Sequence, residues 1–189
     1  MTAKPYHHGD LRHALIQGAR DHLRHAPAEA LSLRQLAREI GVSPNAPYRH
    51  FADREALLSA VALEGFRTLV EALRAVAGDR PTVAGLARSY HAFARREPGV
   101  FRLMFAPPET AARREVEREL FAEILAAVEA EGTGDPDTAL RLAAGVWITL
   151  QGAAVMTVDG TLDWLDRWLR PGAATLTSAV LDGLAPEEG

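Results

Sequence analysis

Cysteine is absent from the 189-residue chain. Disulfides, thiolate metal sites and a cysteine nucleophile are thereby excluded, and a reducing, cytoplasmic setting is expected. Aromatics are scarce at 6%. Lysine is nearly missing too, since Lys4 is the one lysine among 21 basic side chains. No run approaches about 18 consecutive apolar residues, so no membrane span is expected. Residues 1–15 contain no uninterrupted apolar stretch, so no secretory signal is expected. What is present is a chain 48% hydrophobic and 24% charged, enough for a sizeable core and too apolar for disorder.

Charge is unevenly spread. Residues 1–60 carry eight basic side chains and six acids, a balance of +2. The remaining 13 basic and 19 acidic groups give −6, for −4 overall. Six of the seven histidines also lie in residues 1–60. A mildly basic head on an acidic body favours a polyanion partner at the N-terminal end.

The pattern is helical throughout. Leu11, Leu15, Ala19 and Leu23 recur every four residues, marking an amphipathic helix over about 10–25 that ends before Pro27. Ser32 and Gln35 form a candidate capping box, opening a helix over 33–39 that stops at Gly41. Ser43 and Pro44 are placed to cap and start a short third helix. Asp53 caps a long fourth helix reaching about residue 77. After the break at 78–81, helices are expected at about 82–96, 98–106, 110–131, 136–158, 162–169 and 172–184. No segment sustains period-two alternation, so no sheet is expected.

Residues 31–51 have the parts of a helix-turn-helix. Leu33, Leu36, Ala37 and Ile40 face a core, Gly41 permits the tight turn, and Phe51 returns inward. Between them Ser43, Pro44, Asn45, Ala46, Tyr48, Arg49 and His50 are free to face outward. Such a segment fits a DNA major groove, while a plain helical hairpin with a glycine turn is the alternative.

Residues 9–69 resemble the DNA-binding domain of the TetR family of transcriptional regulators. The likeness rests on Gly9-Asp10-Leu11, Ser32-Leu33-Arg34-Gln35-Leu36-Ala37, Gly41-Val42-Ser43, Tyr48-Arg49-His50-Phe51 and Asp53-Arg54-Glu55-Ala56-Leu57-Leu58. Residues 80–185 resemble the effector-binding and dimerisation domain of a subfamily named for a Trp-His-Gly signature. Phe101-Arg102-Leu103-Met104-Phe105 and Trp147-Ile148-Thr149-Leu150-Gln151-Gly152 carry that likeness, with Gln151 where the signature has His. Position 47 is Pro where the family usually has Leu or Ile. If Ser43 caps the helix, Pro47 forfeits only the bond to the Ser43 carbonyl.

The resemblance implies an all-α regulator: a three-helix DNA-binding domain joined by a long helix to a helical effector bundle. It implies phosphate contacts for Tyr48 and His50, and base contacts for Asn45 and Arg49. Arg34 is expected at a base edge or phosphate, Ser32 and Gln35 at phosphates, and Arg54 near the backbone. It implies a homodimer on a palindromic operator. The two long C-terminal helices would meet through Leu140, Ala143, Ala144, Trp147 and Leu150 with Leu176, Ala179, Val180 and Leu184. Repression is the family's commoner mode.

A small, largely apolar effector is expected among Phe66, Tyr90, His91, Phe93, Phe101, Met104, Phe105, Phe121, Trp147 and Gln151, joined by Leu69, Leu125 and Met156. On composition alone an ordinary packed core is equally open; the resemblance implies the pocket. No cofactor, metal or membrane partner is expected. His7, His8 and His13 read as a solvated or phosphate-facing arm, since adjacent His side chains rarely chelate one ion. The competing class is an all-helical enzyme or metal-carrying bundle. It needs Glu-x-x-His spacing or a supported nucleophile, and the sequence contains neither.

Overall fold

The computed structural model describes residues 8–78, 80–106, 110–132 and 135–161. The helices expected at 162–169 and 172–184 lie outside these residues. Seven α-helices occur among the described residues: α1 His8–His25, α2 Leu33–Ile40, α3 Arg54–Ala77, α4 Val83–Arg96, α5 Pro98–Phe105, α6 Ala111–Ala130 and α7 Pro136–Val158. No strand occurs among them. Their bounds are set by local chemistry. The Thr82, Thr110 and Asp135 side chains accept the amides of Gly85, Arg113 and Thr138 at the starts of α4, α6 and α7. The Asp53 carboxylate accepts the Ala56 amide at 2.7 Å at the start of α3.

The chain divides into two compact units. One holds the residues up to Gly65 together with Gly99–Ala106; the other holds Phe66–Pro98 and the chain from Pro107. The first therefore recruits α5, a helix from the middle of the sequence, against Leu23 of α1 and Gly65 of α3. Its core includes Leu15, Ala19, Leu36, Phe51, Leu57, Val61, Phe101 and Met104. Gly99 makes this possible, because a Cβ at that position would lie 2.1 Å from the Leu23 carbonyl oxygen. In the second unit α7 packs against α4 and α6. Its core includes Phe66, Leu69, Leu73, Leu86, Tyr90, Phe93, Leu120, Ile124, Ala143 and Leu150. Arg74 of α3 donates to Glu119 at 3.2 Å and Glu123 at 2.7 Å of α6.

Three expectations change. First, Gln35 does not complete a capping box. Ser32 Oγ accepts the Gln35 amide at 3.4 Å, but the Gln35 side chain donates to Glu39 Oε1 at 2.9 Å. A carboxylate one turn away is the stronger acceptor available to it.

Second, residues 43–50 do not form an α-helix capped by Ser43. A turn leads into a short 3₁₀ helix, Pro47–Arg49. Pro47 has no N–H to give the Ser43 carbonyl, so the Ala46 amide takes that acceptor at 2.9 Å, a turn bond rather than a helical one. Helical bonding then spans and follows the ring: the Ala46 carbonyl accepts the Arg49 amide at 3.2 Å, and the Pro47 carbonyl accepts the His50 and Phe51 amides at 2.9 and 3.0 Å.

Third, α7, which passes for a membrane span by length and composition alone, does not turn all of its expected residues towards a dimer partner. Its apolar side chains divide instead between the bundle core and an exposed face. Ala143 and Leu150, expected at a dimer surface, lie in the core of their own unit.

Candidate functional site

The helix-turn-helix segment presents a polar surface over an apolar floor. α2 ends on Gly41, at φ 81°, whose amide and that of Val42 return to the Ala37 carbonyl. This closes the helix and turns the chain sharply, as a left-handed glycine allows. Leu36, Pro47 and Phe51 are buried beneath the turn. Above it Ser32, Arg34, Gln35, Ser43, Pro44, Asn45, Tyr48 and Arg49 are exposed, with Ala46 and His50 half-buried. Tyr48 keeps 45% of its surface exposed. Arg34 and Arg49 form no ion pair among the described residues, so both guanidiniums are free for an external anion.

Arg54 is held differently. It donates to the Glu29 carbonyl at 2.9 Å and to the Glu55 carboxylate at 2.6 Å. It thus ties the start of α3 to the loop before α2. Arg12 lies over the Phe51 ring at 5.4 Å, bracing the return of the chain into the core.

The residues expected to line an effector cavity fall into two groups. Phe101, Met104 and Phe105 belong to the first compact unit, with Phe101 and Phe105 stacked at a tilt, 5.1 Å apart. Phe66, Tyr90, His91, Phe93, Phe121, Trp147 and Gln151 belong to the second. There Trp147 bridges Tyr90 and Phe121, with edge-to-face centroid distances of 6.4 and 6.3 Å. The Tyr90 hydroxyl donates to Gln151 Oε1, joining α4 to α7. Burial, reinforced by the negative charge of Glu117, raises the Tyr90 pKa, so the hydroxyl stays protonated and keeps donating. Arg113 sits over the Phe66 ring at 5.8 Å and donates to Glu117 at 2.8 Å.

His91 stands apart from this cluster. It is buried at 7% exposure, yet neither ring nitrogen has a hydrogen-bond partner among the described residues. Burial, and secondarily the charge of Arg95, lowers its pKa. It lines an open cleft of about 460 Å³ on α4, with Arg88, Ala92, Arg95 and Arg96. The arginines escaped the sequence reading, although positions 88, 91 and 95 share one helical face. No group of three or more His, Asp or Glu able to hold a metal occurs among the described residues.

Comparison with known proteins gives a consistent result. Residues 15–61 match the model for bacterial regulatory proteins of the tetR family. Residues 83–182 match the tetracycline repressor-like C-terminal domain. A solved protein of unknown function from Rhodococcus sp. RHA1 is 34% identical, covering 96% of this chain and 97% of its own, with a TM-score of 0.77. A transcriptional regulator of the TetR/AcrR family from Thermobifida fusca shares the fold at 22% identity, with coverages of 93% and 94% and a TM-score of 0.62. So does a TetR variant from Acinetobacter baumannii AYE, solved with minocycline, at 20% identity, coverages of 92% and 88% and a TM-score of 0.61. No curated protein matches the chain.

Proposed function

Because this chain belongs to the TetR family of transcriptional regulators, we propose that it is a repressor that binds a palindromic operator as a homodimer and leaves it when a small effector binds. The observation that carries the DNA-binding part is the free surface of Arg34, Asn45, Tyr48 and Arg49 above the buried Leu36, Pro47 and Phe51. Two unpaired guanidiniums and an exposed phenol suit phosphates and guanine edges. Arg54, already committed to Glu29 and Glu55, acts by holding the α3 terminus in place beside them.

One such segment covers too few base pairs for specificity. A dimer axis placing two copies about 34–36 Å apart supplies the second half-site. The exposed α7 face suits the contact: Ile148, Val155 and Met156 share one solvent-facing side of the helix. Gly145 and Gly152 lie along it with open space where a Cβ would be, which lets a second helix approach closely.

The effector reading rests on the aromatic cluster of Phe66, Tyr90, Phe93, Phe121 and Trp147, with Gln151 as its polar member. It is supported by the minocycline complex of the Acinetobacter TetR variant, which shares the fold. α3 runs continuously from Arg54 to Ala77 and so carries both the end beside the DNA surface and Phe66. A ligand that favours one setting of this helix shifts the population away from the DNA-competent form.

Operator selection from random duplex, followed by anisotropy titration, tests the reading. A palindromic site bound by two chains is the expected result. Replacing Arg34 by Ala should weaken that binding by about 1–3 kcal/mol. A protein that selects no duplex, or binds as one chain, overturns it.

A further inference from the structure

We propose that the α4 cleft is an oxyanion-binding site, so that the effector of this regulator carries a carboxylate or phosphate group. This deepens the effector reading above and rests on it.

The cleft brings three cations to one helical face. Arg88, Arg95 and Arg96 are exposed there, and none has a carboxylate partner among the described residues. Elsewhere in the same unit, Arg74 and Arg113 are paired with Glu119, Glu123 and Glu117. An acidic bundle that pairs those cations leaves these three without an anion.

The second observation is His91. A solvated arginine stripe alone is an ordinary surface, but its floor is a buried imidazole with both nitrogens unpartnered. A buried polar group without a partner is destabilising. A neutral imidazole carries one N–H donor, and an oxyanion in the cleft would accept from it while facing the guanidiniums. Arg96 also lies over the Phe93 ring at 5.9 Å, which restrains one of the cations. The volume of about 460 Å³ is right for a small organic acid or phosphate ester.

The position of the cleft gives it a route to DNA. α4 ends at Arg96, and the chain passes through Glu97 and Pro98 to Gly99, which is already part of the compact unit holding the helix-turn-helix. Gly99 has no freedom there, being closed against the Leu23 carbonyl. Drawing Arg95 and Arg96 towards an anion therefore acts on the last turn of α4, directly before the segment fixed to α1.

The test uses the full chain, with inorganic phosphate and succinate as separate probes and sodium chloride at matched ionic strength as the control. Calorimetric titration and thermal shift are the readouts. Saturable binding of either oxyanion, absent with chloride and weakened at least tenfold in an Arg88→Gln/Arg95→Gln double variant, is expected. His91→Asn should weaken it as well, and Arg118→Gln on α6 should leave it unchanged. Phosphate and succinate separate the two head groups, and binding of either supports the site. Absence of binding by both, or binding unaltered in the double variant, overturns the proposal. So does a loss of duplex affinity in the oxyanion-free double variant as large as that from Arg34→Ala, since the arginines would then be DNA contacts. If an oxyanion binds but operator affinity does not change, the site stands and the effector reading falls. If none binds while a palindrome is still bound by two chains, the DNA-binding reading stands without this site.

Discussion

Gly99 closes directly on the carbonyl oxygen of Leu23, so near that a Cβ would sit 2.1 Å from it. The contact is backbone to backbone, and no rotamer change can relieve an added methyl. α5 therefore lies against α1 because residue 99 is glycine. Gly99→Ala should destabilise the protein by about 1–3 kcal/mol through overpacking, and should change operator affinity along with stability. Denaturant unfolding and anisotropy on the same preparation check this. A variant of unchanged midpoint would show that α5 need not lie so close.

Tyr90 and Gln151 form the polar tie between α4 and α7 in a largely apolar interior. Tyr90→Phe leaves the Gln151 oxygen without its donor and should destabilise by about 1–2 kcal/mol. Gln151→Leu in the Tyr90→Phe background should recover part of that loss, since removing both partners is gentler than orphaning one. Equal midpoints for the single and double variants would refute the bond's role.

His91 makes stability depend on pH in a predictable direction. Its pKa is held below the ordinary 6.5 by burial and by Arg95. Above about pH 6.5 the imidazole is neutral in both the folded and unfolded chain. As pH falls below that value the unfolded chain takes up a proton that the folded chain resists, so stability declines. In a buffer without oxyanions, the wild type should lose more stability between pH 7 and pH 5.5 than His91→Gln does. Parallel pH profiles for the two proteins would show that His91 is not the group responsible.

Ile148 is 69% exposed at the centre of the outward face of α7. Ile148→Asp should leave the monomer's fold intact and place a charge in the proposed dimer contact. Sedimentation should then show a monomer at micromolar concentration where the wild type is a dimer. Operator affinity should fall by orders of magnitude as the second half-site is lost. A dimeric Ile148→Asp protein would move the interface elsewhere.

Among the described residues the sequence alone determined the seven α-helices and their approximate ends, because those are decided within a turn or two of chain. Asp53 and Asp135 cap with their own side chains, Gly41 takes the left-handed turn, and apolar residues three or four apart define each inward face. The exposed polar set around Tyr48 was legible for the same reason, as was the family. The break at residues 43–50 was less so, because whether one proline bends a short helix or divides it depends on which amide reaches Ser43 first.

Tertiary structure decided the rest. Only packing assigned Phe101 and Met104 to the unit of α1 rather than to Tyr90 and Trp147, since adjacency in space is not encoded by spacing along one helix. Only packing turned Ala143 and Leu150 inward while leaving Ile148 out. The sequence places Arg88, His91 and Arg95 on one face of α4. It took the fold to bury the imidazole and leave its nitrogens empty, because burial depends on elements far away in the chain.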